Sequence, residues 1–143
     1  DLANSDSYYI VEIKSLKRIL DAVNKTGRPV LCFIDEVLRG TNTVERIAAS
    51  SEILKNLNTD RALCFAATHD VELTSILKDC YSNYHFQEEV TEDEVKFDYK
   101  LYAGPATTRN AIKLLNVIGY DKNIIKGAEQ RAMHFLTDGN WKS

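Results

Sequence analysis

Two unbroken apolar runs, each ending at a cluster of polar and ionisable residues, constrain this chain more than any other feature. They are Val30 to Ile34 and Ala62 to Ala67. Both are far too short to span a bilayer. Neither alternates apolar with polar, so each reads as a strand buried on both faces of a parallel sheet. Between them Val44, Ile47, Ala48, Leu54 and Leu57 recur at helical spacing. Two neighbouring parallel strands need a crossover of about a dozen residues or more, usually a helix, and these residues supply one. The expected class is α/β.

The flanking segments extend that pattern. Upstream, Ile10, Ile13, Leu16, Leu20 and Val23 mark a helix, with Ser5, Asp6 and Ser7 as competent N-caps and Gly27 and Pro29 as the stop. Asn42 followed by Glu45 resembles a capping box for the crossover helix. Val71, Leu73, Ile76 and Leu77 give a helix after Asp70, which is placed to cap it. Further on, Tyr84, Phe86, Glu88 and Val90, then Val95, Phe97, Tyr99 and Leu101, alternate with their neighbours around Thr91 to Glu94, and predict a hairpin. After Gly104-Pro105, Thr107 or Thr108 can cap a helix that Gly119 closes, and Asp121 starts a last helix through Ile125, Ala128, Ala132 and Phe135.

Composition excludes several classes. With 143 residues, 44% hydrophobic and 27% charged, and only 6 Gly and 2 Pro, the chain matches a globular domain rather than a disordered or repetitive one. A net charge of −3 gives no general attraction to nucleic acid, so if nucleic acid is involved its main contact surface is expected elsewhere in the parent protein. The acidic stretch Glu88 to Asp98 reads as a solvated hairpin. Three cysteines without a C-x-x-C spacing argue against a disulfide framework and point to a reducing cytoplasm.

The chemistry concentrates at the strand ends, where open α/β sheets bind their ligands. The first run ends in Asp35-Glu36, the form of a Walker B segment. In that role Asp35 helps hold hydrated Mg²⁺, and Glu36 polarises a water for attack on a γ-phosphate. Taken alone, two acids at a strand end read equally well as the entry to a solvated turn. The second run ends in Thr68-His69-Asp70, where His69 could reach a phosphate or the attacking water, or simply fill a turn. Arg39 to Thr43 adds a polar turn in which Gly40 permits an unusual backbone angle. No pair of glycines has the spacing of G-x-x-x-x-G-K-[ST] or G-x-G-x-x-G. An ATPase reading therefore places the phosphate-cradling loop upstream of Asp1, in keeping with a chain that does not start with Met.

These residues carry a family resemblance. Leu31 to Thr43 resembles the Walker B segment and D-loop of the MutS family of DNA-repair ATPases, and Ala67 to Thr74 resembles that family's histidine motif. Asp1 to Ser7 with Val11-Glu12 is similar to the signature-loop region, and Ile124 to Ala128 to the closing helix. The resemblance implies an ABC-type P-loop fold, of which residues 1–143 are the C-terminal portion, working as a homodimer with composite ATP sites. Carried over, Glu36 is the general base, His69 the switch histidine, Asp35 the Mg²⁺-linked acid, and Ser7 the signature serine reaching the partner's nucleotide. Asn42 falls in the D-loop at the dimer interface. ATP and Mg²⁺ are the implied cofactors, DNA is bound by domains outside these residues, and no membrane contact is expected of the segment.

Two stretches depart from the usual pattern. The signature loop reads Asn4 to Tyr9 where mismatch-repair members have a Gly-containing Ser-Thr-Phe pattern, and Thr107 to Ala111 replaces a Ser-Tyr-Gly stretch. Both point to a divergent MutS-related subgroup. Two alternatives stay open at this point. One is another ABC-type engine, of the transporter or chromosome-organising kind, and the other is a non-catalytic dimerisation module.

Overall fold

Alternation of side chains along two short strands decides how this chain packs. The computed structural model describes residues 8–141. It divides into two compact units, one up to Asn83 and one from Tyr84 onward. In the first, β1 (Val30–Asp35) and β2 (Ala62–Ala67) pair in parallel, with Val30 opposite Ala62 and Asp35 opposite Ala67. Helix α2 (Thr43–Leu57) is the expected crossover between them. Helix α1 (Tyr8–Lys25) precedes the strands and α3 (Val71–Ile76) follows them. Ser5, Asp6 and Ser7, the expected caps of α1, lie outside the described residues.

The core sits on one side of this two-stranded sheet. Leu16 and Val23 from α1, Cys32 and Ile34 from β1, Leu54 and Leu57 from α2, and Leu73 in α3 with Leu77 at its end form one buried cluster. Ile10 and Ile13, which share the helical spacing of Leu16 and Val23, are more than a third exposed. The larger correction concerns the strands, which among the described residues are covered on one face only. Leu31, Phe33, Leu63 and Phe65 point away from the helices and are between 54% and 71% exposed. An apolar run lacks the alternation that would flag an open face, and these residues supply only one layer of helices. On the open face Phe33 and Phe65 stack as cross-strand neighbours, with ring centroids 5.3 Å apart.

The turn after β1 is bent by non-glycine residues. Glu36 and Leu38 take φ of 61° and 59°, in the left-handed region that L-residues seldom occupy. Burial of Val37 and Leu38 offsets that strain, and Ser50 in α2 donates to the Val37 carbonyl. Gly40 does not use the backbone freedom that glycine permits, since its φ is not positive. Its role is close approach, because a Cβ there would stand 2.8 Å from Tyr9 Cβ. As expected, the three cysteines form no disulfide. Cys32 lies in the core opposite Cys64, and burial pushes its thiol up to about 12.

The second unit holds the expected hairpin in two pieces. β4 (Glu88–Val90) pairs antiparallel with β5 (Val95–Phe97) across a turn in which the Thr91 amide donates to the Glu94 carbonyl. β3 (Tyr84–His85) pairs separately with β6 (Tyr102–Ala103). Phe86 and Gln87 link the ladders on one side and Asp98 to Leu101 on the other, so the alternation cannot run through. Asp98 makes the break by accepting from the Lys100 amide and the Tyr102 hydroxyl, while Tyr99 takes a φ of 55°. Helices α4 (Ala111–Ile118) and α5 (Lys122–Asp138) follow. Gly119 closes α4 at φ 91°, and the Asp121 carboxylate caps α5 by accepting from the Asn123 amide. Thr107 and Thr108 do not cap α4. Asn110 occupies that place and turns its side chain to Glu88 instead. None of this unit's described residues is fully buried. Among the described residues no helix is long and apolar enough to cross a membrane.

Candidate functional site

Parallel pairing in register brings the loops after β1 and β2 side by side. The ladder runs one bond past β1, where the Glu36 amide donates to the Ala67 carbonyl at 2.9 Å. That sets Glu36 level with the start of the Thr68-His69-Asp70 turn. The Glu36 carboxylate, 27% exposed, meets His69 Nε2 at 2.9 Å. With Glu36 ionised it can only accept, so the contact requires hydrogen on Nε2. The His69 ring is otherwise open to solvent, its side chain 93% exposed.

These two residues share a shallow hollow of about 290 Å³ with Arg39, Arg46 and Asp70. All five lining side chains are ionisable, a density of charge that suits an anionic ligand and its counter-ions better than an apolar one. Arg46, in the first turn of α2, forks onto Asp70, with Nε to Oδ2 at 2.8 Å and Nη2 to Oδ1 at 2.6 Å. The Asp70 carboxylate raises the Arg46 guanidinium further above its ordinary value, and Glu36 adds to the effect. Arg39 reaches the other way, donating to the Tyr8 hydroxyl at 3.0 Å, while its amide donates to Glu12 Oε1 at 3.3 Å. The second carboxylate oxygen of Glu12 is buried without a partner.

The residues singled out from the sequence are therefore only partly gathered. Glu36 and His69 meet. Asp35, one position earlier, is exposed and follows Leu31 and Phe33 onto the open face of the sheet. Asn42 caps α2, its Oδ1 accepting from the Glu45 amide at 3.0 Å and its side-chain nitrogen donating back to the Glu45 carboxylate. Ser7 lies outside the described residues. Asp70, expected to cap α3, makes no side-chain cap bond because both its oxygens are held by Arg46. Arg46 was missed by motif and periodicity, yet a signal existed. A cation in the first turn of a helix opposes the macrodipole, so it calls for a specific acid nearby. Among the described residues no three His, Cys, Asp or Glu side chains gather as a metal-holding group.

Comparison with known proteins settles the lineage. Residues 1–136 match the family described as MutS domain V. The chain belongs to the MutS domain V family. Its relatives include the DNA mismatch repair protein MutS 2 of Haloarcula marismortui, 28% identical over 141 residues, covering 96% of this chain and 14% of the relative. The DNA mismatch repair protein MutS of Natronomonas pharaonis is 32% identical over 133 residues, covering 91% and 15%. The MutS of Thermus thermophilus is 26% identical over 128 residues, covering 90% and 15%. The domain V segment thus spans about 15% of the length of the curated relatives it matches.

Proposed function

We propose that residues 1–143 form the downstream part of an ABC-type P-loop ATPase domain in a MutS-like DNA-repair protein. ATP is hydrolysed in composite sites of a homodimer, and turnover is coupled to recognition of mismatched or damaged DNA. The observation that carries this reading is the 2.9 Å contact of Glu36 with His69 at the adjoining ends of two parallel strands. A purely structural dimerisation module has no use for an acid and a histidine converging there, and membership of the MutS domain V family favours this engine over a transporter or chromosome-organising ATPase.

In this reading Glu36 accepts the proton of the water that attacks the terminal phosphate. His69 donates to Glu36, orienting the carboxylate, and its exposed ring is available to a phosphate oxygen. Mg²⁺, when bound, supplies charge neutralisation on the phosphates. It takes few protein ligands and keeps several waters, so one exposed strand-end carboxylate, with no protein cage around it among the described residues, fits its chemistry. Asp35 would hold it through water. Ser7 would meet the nucleotide of the partner copy, and Asn42 belongs to the loop that crosses between copies. The phosphate-cradling loop and the DNA-contacting domains come from parts of the protein outside these residues. A role on DNA and three free cysteines are in keeping with a reducing cytoplasm.

The test is Glu36→Gln in the full-length protein. ATP binding and dimer formation persist, while hydrolysis falls by about 100-fold or more, the range expected for loss of a general base. Unchanged turnover removes Glu36 from that role. Residues 1–143 alone are expected to hydrolyse ATP no faster than buffer.

A further inference from the structure

We propose that Arg46 is a positioning residue for the hydrolytic step, acting through Asp70 to hold the His69 turn against Glu36. This rests on the ATPase reading above. The two residues depart from local preference at the same contact. Asp70 stands at the N-cap of α3 but caps nothing, because its carboxylate is given wholly to Arg46. Arg46 sits in the first turn of α2, where its charge opposes the helix dipole. Paired local departures of this kind mark a geometric requirement that outweighs element stability.

The geometry shows what is held. His69 has no packing of its own, with a side chain 93% exposed and Glu36 as its partner. Its direction is set by the backbone of its turn, pinned on one side by the Asp70 amide donating to Thr68 Oγ1 at 3.0 Å. On the other side the pin is the Arg46–Asp70 fork, whose side chains are only 24% and 14% exposed. A planar fork on two carboxylate oxygens fixes orientation as well as distance, which a lysine cannot do. Arg46 is also tied to the Asn42 loop, its amide donating to the Asn42 carbonyl at 2.9 Å. One residue therefore links the two loops, by its amide to the loop after β1 and by its side chain to the turn that carries the histidine after β2.

The test compares Arg46→Lys in wild-type and His69→Ala backgrounds of the full-length protein. Arg46→Lys is expected to lower kcat about tenfold or more, with KM for ATP and Tm little changed, as for an interaction felt mainly in the transition state. In the His69→Ala background the same substitution is expected to have no further effect, because no imidazole remains to be placed. A loss that persists in full without His69 overturns the proposal and assigns Arg46 to phosphate binding or to folding. So does an unchanged kcat. The imidazole NMR signals of His69 give a readout that does not need turnover. The signals lost in His69→Gln assign them. Arg46→Lys is expected to shift the His69 ring signals as Glu36→Gln does, and unmoved signals overturn the proposal. If wild-type protein hydrolyses no ATP, the ATPase reading fails, and the NMR arm still decides whether Arg46 places His69.

Discussion

Gly40 and Cys32 show how single atoms govern this molecule. The missing Cβ of Gly40 makes room for Tyr9, so Gly40→Ala should destabilise the protein by about 1–3 kcal/mol, the usual cost of overpacking, in urea unfolding. Adding Tyr9→Gly, which takes away the opposing Cβ, should return part of that loss, giving a non-additive cycle. The buried Cys32 thiol, raised to about 12 against an ordinary 9.0, has a definite sign of linkage. Below pH 9 both folded and unfolded chains hold the proton and stability is unaffected. From pH 9 towards 12 only the unfolded chain releases it, so stability falls as pH rises. A thiol reagent at pH 8 should accordingly leave Cys32 unlabelled until denaturant is added. The same scale shows why Asp35 and Glu36 were legible as a pair but not as geometry. Adjacent residues on a strand point to opposite faces, and the left-handed backbone at Glu36 is not written in its identity.

Caps and strand pairings were readable from sequence wherever the partner was local. Asn42, Asp121 and Gly119 bind groups within a few residues of themselves, and each sits at the helix end expected of it. Asp70 and Thr107 or Thr108 failed as caps for a common reason. Asp70 is claimed by Arg46, 24 residues away, and the start of α4 is taken by Asn110, which reaches Glu88. A residue with a good local use is free for a distant one, and only the fold reveals the competitor. Asn42→Ala should therefore cost about 1 kcal/mol as a lost N-cap, read by thermal unfolding. The hairpin shows the opposite failure. Period-two patterning predicted one ribbon, and the turn around Asp98 and Tyr99 divides it into two short ladders.

For the molecule as a whole, the fold class and the crossover were legible because a strand–helix–strand pattern admits few arrangements. What covers the outer face of the sheet was not, since continuous apolar strands look the same whether or not their second cover lies in the same stretch of chain. Leu31, Phe33, Leu63 and Phe65 remain open, and the second unit buries no described residue completely. In a protein of the relatives' length, a further layer is expected on that face. Phe33→Ser should then lower the stability of the full-length protein by about 2–3 kcal/mol, the value of a buried phenylalanine. In the isolated 143 residues it should change stability little and improve solubility. Equal effects in both would show that the face is open in the intact protein too.

The in-register ladder also acts as a ruler, and so predicts where the lineage can accept insertions. Val30 to Asp35 run level with Ala62 to Ala67, and His69 stands two residues beyond the last pair. One residue added within the second strand would carry the imidazole about 3.3 Å along the sheet, beyond hydrogen-bond reach of Glu36. The same residue added in the exposed turn around Asn58 to Asp60, ahead of the ladder, costs only a little loop entropy. Length variation among members that keep this glutamate–histidine contact should therefore collect in that turn and be missing from the six positions of either strand.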